Sequence, residues 1–164
     1  MNFLPFLNII YKSKLNEDEI IKRLNELIEP KKILRNGIFV DVSTKLYEGK
    51  IIENKFNINR IISYNNSFLP RIIGTFKYVN FDLVINVKMR LHFFVLIFTI
   101  IWFTIIGLTF LGLLVMSFSN FTPLVFLPFG LLLFFYVITI GFFNYESNKT
   151  KKDLKLLFEA DIIK

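Results

Sequence analysis

Few side chains in this sequence are grouped so as to do chemistry. The densest acidic run, Glu17, Asp18 and Glu19, lies where a helix begins, and carboxylates there favour the positive end of the helix dipole without any ligand. The single histidine, His92, follows Arg90 by two residues. Because histidine titrates near neutral pH, this pair is the nearest approach to a proton-responsive group. With Arg60 and Asp82 it makes the one set of polar residues on which a lipid-acting enzyme could draw. There is no cysteine, which excludes a disulfide framework, thiolate zinc ligation and thiol catalysis together. One imidazole does not make a transition-metal site. No glycine-rich phosphate loop, GxSxG or HExxH occurs. The expectation is a protein with no catalytic residue, no metal and no cofactor, and therefore not an enzyme.

The elements that hold these residues are dominated by one apolar block. Of 164 residues 54% are hydrophobic while 20% are charged, and the two populations are segregated along the chain. Between Leu91 and Tyr145 there is no Lys, Arg, Asp or Glu. A helix needs about 20 apolar residues to cross roughly 30 Å of hydrocarbon, so the block accommodates two crossings and a turn. Ser117, Ser119, Asn120, Thr122 and Pro123 favour chain reversal near its middle. The spans are therefore expected at 93–116 and 124–143, as helices, because backbone amides in lipid must be paired internally. Pro123, Pro128 and Gly130 suggest a kinked or late-starting second helix.

Orientation follows from the flanks. Of the 20 basic residues, 15 precede Leu91, five follow Tyr145 and none lies between. Both termini are expected to face the cytoplasm. Lys and Arg exceed Asp and Glu by 20 to 13, an excess that the cytosolic face of a membrane protein accounts for, so no nucleic-acid partner is expected. No intramembrane charge marks an ion path, which disfavours a transporter or channel.

Residues 1–90 read as an α+β domain. Met1 to Tyr11 is apolar but lacks a preceding positive charge and carries Pro5, so it fits neither a signal peptide nor a span. It is expected to pack on the domain or lie at the membrane surface. Asn16 to Glu29 predicts one amphipathic helix, capped by Asn16, with Ile20, Leu24, Leu27 and Ile28 on one stripe. From Gly37 the period becomes that of strands, expected at Ile38 to Val42, Lys45 to Ile52, Lys55 to Tyr64, Ile72 to Tyr78 and Leu83 to Met89. The last alternates most cleanly and leads straight into the first span. The fold class expected is an N-terminal antiparallel sheet with one covering helix, then a transmembrane helical hairpin (91–145) and a short C-terminal amphipathic helix (146–164). In that tail Thr150 and Asp153 are placed to cap a helix carrying Leu154, Leu157, Phe158 and Ile162.

The stretch from Phe56 through Ile61, Ile62, Ser63, Tyr64, Asn65, Asn66, Ser67, Phe68, Leu69 and Pro70 to Gly74 resembles a family of small uncharacterised bacterial membrane proteins. Met89 to His92 and Leu157 to Glu159 are similar to that family's later motifs. The resemblance implies two membrane helices after an α+β domain, in a bacterial inner membrane, and no assigned activity. A looser resemblance, of architecture only, is to bacterial pleckstrin-homology-like domains tethered by two membrane helices.

Candidate contacts to membrane or partner fall in three places. Phe68 and Leu69 are apolar in a turn-rich loop, Arg60, Arg71, Lys88, Arg90 and His92 are basic residues of the strands and membrane entry, and Lys151 and Lys152 flank the tail. Basic residues near a surface attract anionic headgroups at about 1 kcal/mol each. The function expected is a non-catalytic, membrane-anchored binding or scaffold module at the cytoplasmic face. Its partners are the bilayer, through anionic headgroups, and possible protein ligands. The alternatives are a membrane immunity or accessory protein for a toxin or transport complex and, less favoured, a lipid-acting enzyme.

Overall fold

The computed structural model describes residues 2–31, 45–118 and 122–163. Those residues form a mixed α+β structure with a seven-stranded sheet and three α-helices. In chain order the elements are β1 (Phe6–Ser13), α1 (Glu17–Leu27), β2 (Ile28–Glu29), β3 (Tyr47–Ile52), β4 (Lys55–Arg60), β5 (Arg71–Val79) and β6 (Asp82–Arg90). Then come α2 (Phe93–Ser117), a 3-10 turn (Pro123–Phe126), α3 (Leu127–Leu157) and β7 (Ala160–Ile162). The expected strand at Ile38 to Val42 and the middle of the expected turn at Ser119 and Asn120 lie outside the described residues.

The sheet runs β2-β3-β4-β5-β6-β1-β7, with β2 parallel to β3 and every other pair antiparallel. Strand parity sorts its residues. Ile9 and Tyr11 of β1, Phe56 and Ile58 of β4, Ile72 and Phe76 of β5, and Leu83, Ile85, Val87 and Met89 of β6 are all buried on one face. Alternate residues such as Asn8, Lys12, Lys77, Lys88 and Arg90 stand on the other face, toward solvent. Gly74 belongs to the buried series, and a Cβ there would overlap the ring of its cross-strand partner Phe56. The glycine is what lets that ring lie across the sheet toward Phe76 and Phe158.

Two helices close the buried face where one was expected. Helix α1 is set by Asn16, whose Oδ1 accepts from the Glu19 amide at 2.8 Å, and it buries Ile20 and Leu24. The second cover is the carboxy-terminal part of α3, which contributes Phe143 and Leu154 to the same core, with Phe158 just beyond it. Arg23 ties the two covers, pairing with Glu19 at 2.9 Å and with Glu159 at 2.6 Å.

The expected separate helix in the tail is therefore corrected. No Gly or Pro occurs between Phe142 and Leu157. Adding residues to an existing helix avoids a fresh nucleation cost, so α3 continues through Tyr145 and Thr150 to Leu157. Thr150 is fully buried within that helix instead of capping a new one. Beyond α3 the chain forms strand β7, paired with β1.

The amino-terminal segment is likewise more central than expected. Residues 6–13 form β1, registered against β6 from Phe6 opposite Arg90 to Ser13 opposite Leu83. Ahead of it the chain lies along α3, where Asn144 Nδ2 donates to the Asn2 carbonyl at 2.9 Å and the Tyr136 hydroxyl to that of Phe3 at 2.8 Å.

Helices α2 and α3 are both long and apolar enough to cross a membrane. None of the 25 residues of α2 is buried. The two touch through Trp102 and Phe135, centroids 6.0 Å apart, and through Phe110 and Phe129 at 5.7 Å. Thr99, Thr104 and Thr109 return their hydroxyls to carbonyls four residues back at 2.7, 2.9 and 2.9 Å, so each of these polar groups has its partner within the helix. Pro123 opens the 3-10 turn and Pro128 sits in the first turn of α3, where a missing amide costs nothing.

Candidate functional site

The sheet has one face covered by α1 and α3 and one face open, and its charges are not spread evenly over the open face. At the end remote from α2, Lys12 pairs with Asp82 at 2.5 Å across the β1–β6 ladder. At the end where β6 runs into α2, Arg90 has Arg71 of β5 directly opposite on one side and Phe6 of β1 on the other. Two residues back along β6, Lys88 lies between Ile73 and Asn8. Arg71 is oriented by Asn57, whose Oδ1 accepts from its Nε at 2.9 Å. None of Arg71, Lys88 and Arg90 has an ion pair among the described residues. His92 is the cap residue of α2, its ring stacked 5.7 Å from that of Phe94. Three of the expected contact residues thus converge on one corner, with His92 just beyond it.

The others go elsewhere. Arg60 lies in the same strand parity as Phe56 and Ile58 and faces the covered side, where its Nη1 is 3.0 Å from Asp153 Oδ2 on α3. Phe68 is half-buried against the sheet core, its amide held at 2.9 Å by Asn66 Oδ1, and Leu69 is half-buried beside it. Lys151 is half-buried on α3 and Lys152 is exposed there. Lys151 enters the fold through its carbonyl, which accepts from the Tyr11 hydroxyl at 3.2 Å.

The seam between α3 and the sheet is a polar stripe that sequence reading missed. Asn144, Glu146, Ser147 and Thr150 are all buried along it. Three tyrosine hydroxyls bind the helix down: Tyr11 to the Lys151 carbonyl, Tyr47 to Asp153 Oδ2 at 3.1 Å, and Tyr64, from the segment after β4, to Glu146 Oε1. Burial pushes the Tyr11 and Tyr47 phenols well above the ordinary range. Donation to the Glu146 carboxylate, more than burial, pushes Tyr64 up to about 12. Glu146 Oε2, Ser147 Oγ and Thr150 Oγ1 are buried without a hydrogen-bond partner in this structure. The signal available in the sequence was the spacing of Asn144, Ser147 and Thr150, three apart on one helical face, with Glu146 as the first acid after the apolar block.

Chemically the seam is a fastening, since its acids and hydroxyls face the interior. Among the described residues no three His, Asp or Glu side chains are grouped to hold a metal ion. A shallow groove of about 330 Å³ runs along α3 between Val137, Ile138, Gly141, Phe142 and Tyr145, and it is almost wholly apolar. At its end the Lys149 ammonium sits 4.2 Å over the Tyr145 ring. Comparison with protein family models, with characterised proteins and with solved structures finds no match to this chain.

Proposed function

We propose that this chain is a non-catalytic binding module anchored in a bacterial inner membrane by α2 and α3, which cross it as a hairpin and present the sheet domain at the cytoplasmic face. The observation that carries the reading is the contrast between two long helices that share an apolar composition. Helix α3 buries its polar stretch against the sheet, whereas α2 buries none of its residues and leaves its apolar side chains bare. Aqueous exposure of that many Ile, Leu and Phe side chains costs about 25 cal/mol per Å², and a hydrocarbon surrounding removes the cost.

The polar boundary supports the same arrangement. Arg90 and His92 stand before α2, while Tyr145 and Lys149 stand where the groove on α3 ends, and aromatic and basic residues favour headgroup depth. The exposed Phe3, Leu4 and Phe6 join this level through the bonds of the amino-terminal segment to Tyr136 and Asn144. The membrane entry and the charge-free block of two long apolar helices together favour a small two-span membrane protein.

The test is topology by labelling. The chain has no native cysteine, so single cysteines report cleanly. Ser67 and Asn148 are exposed on the sheet domain and α3, and Asn120 lies between the two apolar helices in sequence. A membrane-impermeant maleimide on intact cells is expected to react at Asn120→Cys alone, and all three sites after permeabilisation. Equal reaction of all three on intact cells would sink the orientation, and recovery of the chain in the soluble fraction would sink the anchor.

A further inference from the structure

The open face of the sheet carries an arrangement that the fold itself does not reward. Arg71 and Arg90 are directly opposed across β5 and β6, and like charges in that position destabilise a sheet. Lys88 is the next residue on the same face of β6, about 7 Å along the strand. Elsewhere on this face the chain does supply a counter-charge, as at Lys12 and Asp82, yet at this corner no ion pair forms among the described residues. The acid in the same cross-strand row, Glu48, is two strands away from Arg71 with Asn59 between them. Asn57 instead spends its side chain fixing one of the cations in place.

Position and surroundings narrow the missing anion. Arg90 precedes the first residue of α2 by three positions, about 10 Å of extended chain, which is headgroup depth if α2 spans. Phe6 flanks Arg90 and is half exposed, and Phe3 and Leu4 beyond it are more so. A free anion has no use for an apolar flank beside the cations, and a nucleic acid, although its bases can stack on phenylalanine, gains nothing from a site at the edge of hydrocarbon. A phospholipid offers phosphate to the cations and acyl chain to the phenylalanines.

We propose that the Arg71, Lys88 and Arg90 corner binds the phosphate of an anionic phospholipid belonging to the membrane that holds the chain, which rests on the spanning reading above. The strand ladder preorganises the three cations, so one phosphate bridges Arg71 and Arg90 while Lys88 supplies the charge that separates anionic from zwitterionic lipid. Each near-surface cation is worth about fivefold in affinity, and neutralising all three should weaken binding on the order of a hundredfold.

The experiment uses the full chain in dodecyl maltoside micelles, titrated with phosphatidylglycerol or phosphatidylcholine, with bound lipid counted by native mass spectrometry. Wild type is expected to retain phosphatidylglycerol in preference to phosphatidylcholine. The Arg71→Gln, Lys88→Gln, Arg90→Gln variant is expected to lose that preference, while Lys55→Gln with Lys77→Gln, on the same face but far from the corner, keeps it. The triple variant removes a repulsion, so its thermal unfolding in phosphatidylcholine should be no earlier than wild type. Equal retention of the two lipids by wild type overturns the proposal, as does equal loss in both variants, which would mean diffuse attraction. Full competition by inorganic phosphate or a short oligonucleotide overturns it in favour of a soluble anion. A chain that stays monodisperse without detergent overturns the spanning reading itself, a result separate from all of these.

Discussion

Replacing Phe158 by alanine tests the packing on which everything else depends. The ring is fully buried, meets Tyr11 edge-on at 5.6 Å and lies 6.1 Å from Phe56, so it joins β1, β4 and the end of α3 in one contact. Its carbonyl also receives the Ser13 hydroxyl at 2.6 Å, which the substitution leaves in place. Removing a buried phenylalanine costs about 3–5 kcal/mol, and the loss of two aromatic neighbours puts this site toward the upper end. Against a domain stability of about 5–15 kcal/mol the variant should fold but sit near its limit. Near-ultraviolet circular dichroism in micelles should show Tm lower by about 8–20 °C. Limited trypsin digestion should cut earlier at Lys151, Lys152 and Lys155, because the helix that carries them loosens from the sheet. Leu156→Ala, at a residue 77% exposed, is the control and should change stability by no more than about 0.5 kcal/mol. If the two variants behave alike, α3 does not pack on the sheet and the polar seam does not exist.

Two further outcomes are expected. The β5–β6 turn places Asn80 at φ 51° and Phe81 at φ 68°, a conformation made for Asn-Gly, and the Phe81 ring is wholly exposed. Phe81→Gly should therefore raise stability by about 1 kcal/mol in chemical denaturation, and a loss would mean that the ring is packed. The tyrosines give the pH dependence. A phenol whose folded pKa is raised holds its proton where the unfolded chain has released it, so stability falls as pH rises from the ordinary value near 10 toward the folded one. For Tyr64 that window closes at about 12. Glu146→Ala should return Tyr64 toward the ordinary range and leave Tyr11 and Tyr47 high, as read by tyrosinate absorbance. Unchanged titration of Tyr64 in that variant would deny the hydrogen bond.

Strands β5 and β6, the first part of β4 and the start of helix α1 were legible because local signals mark them, such as the alternation in Leu83 to Met89 and the cap at Asn16. The helix end was not, since α1 stops at Leu27 and Ile28–Glu29 leave it to pair with β3, and β4 ends at Arg60, short of Tyr64. Strand β1 was not legible either, for two reasons. Its outward positions include Phe6 and Ile10, which blur the period of two, and its main partner β6 comes more than 60 residues later in the chain. No local preference encodes such a pairing. The charged residues of the corner are plain in the sequence, but their grouping required the register. Arg60 shows how parity could have helped, since Phe56, Ile58 and Arg60 share one face and its cross-strand partner Tyr47 is buried. That parity directs Arg60 to the α3 seam, where it meets Asp153. Asp153 reads as a cap residue because local composition is all that marks a helix end in sequence, whereas in the fold it meets Tyr47 and Arg60 from within α3.

The continuity of α3 changes what an anchor can do in the proposed arrangement. Its 31 residues extend about 46 Å, more than a span requires, and the surplus is the portion from Phe143 onward that lies on the sheet. A flexible linker between span and domain would let the two reorient freely. Here the same hydrogen-bonded rod belongs to both, fastened to the sheet by Tyr11, Tyr47 and Tyr64 and clamped through Arg23 and Glu159 at its end. Strand β6 enters α2 with only Leu91 and His92 between them, and Leu91 is buried. The domain is thus joined to the two helices at two separate points, and two attachments fix an orientation that one would leave free to rotate. If α2 and α3 span as proposed, these two attachments hold the open face, with its cationic corner, at a constant height and angle to the bilayer, which is the condition for three side chains on a sheet to select one class of lipid.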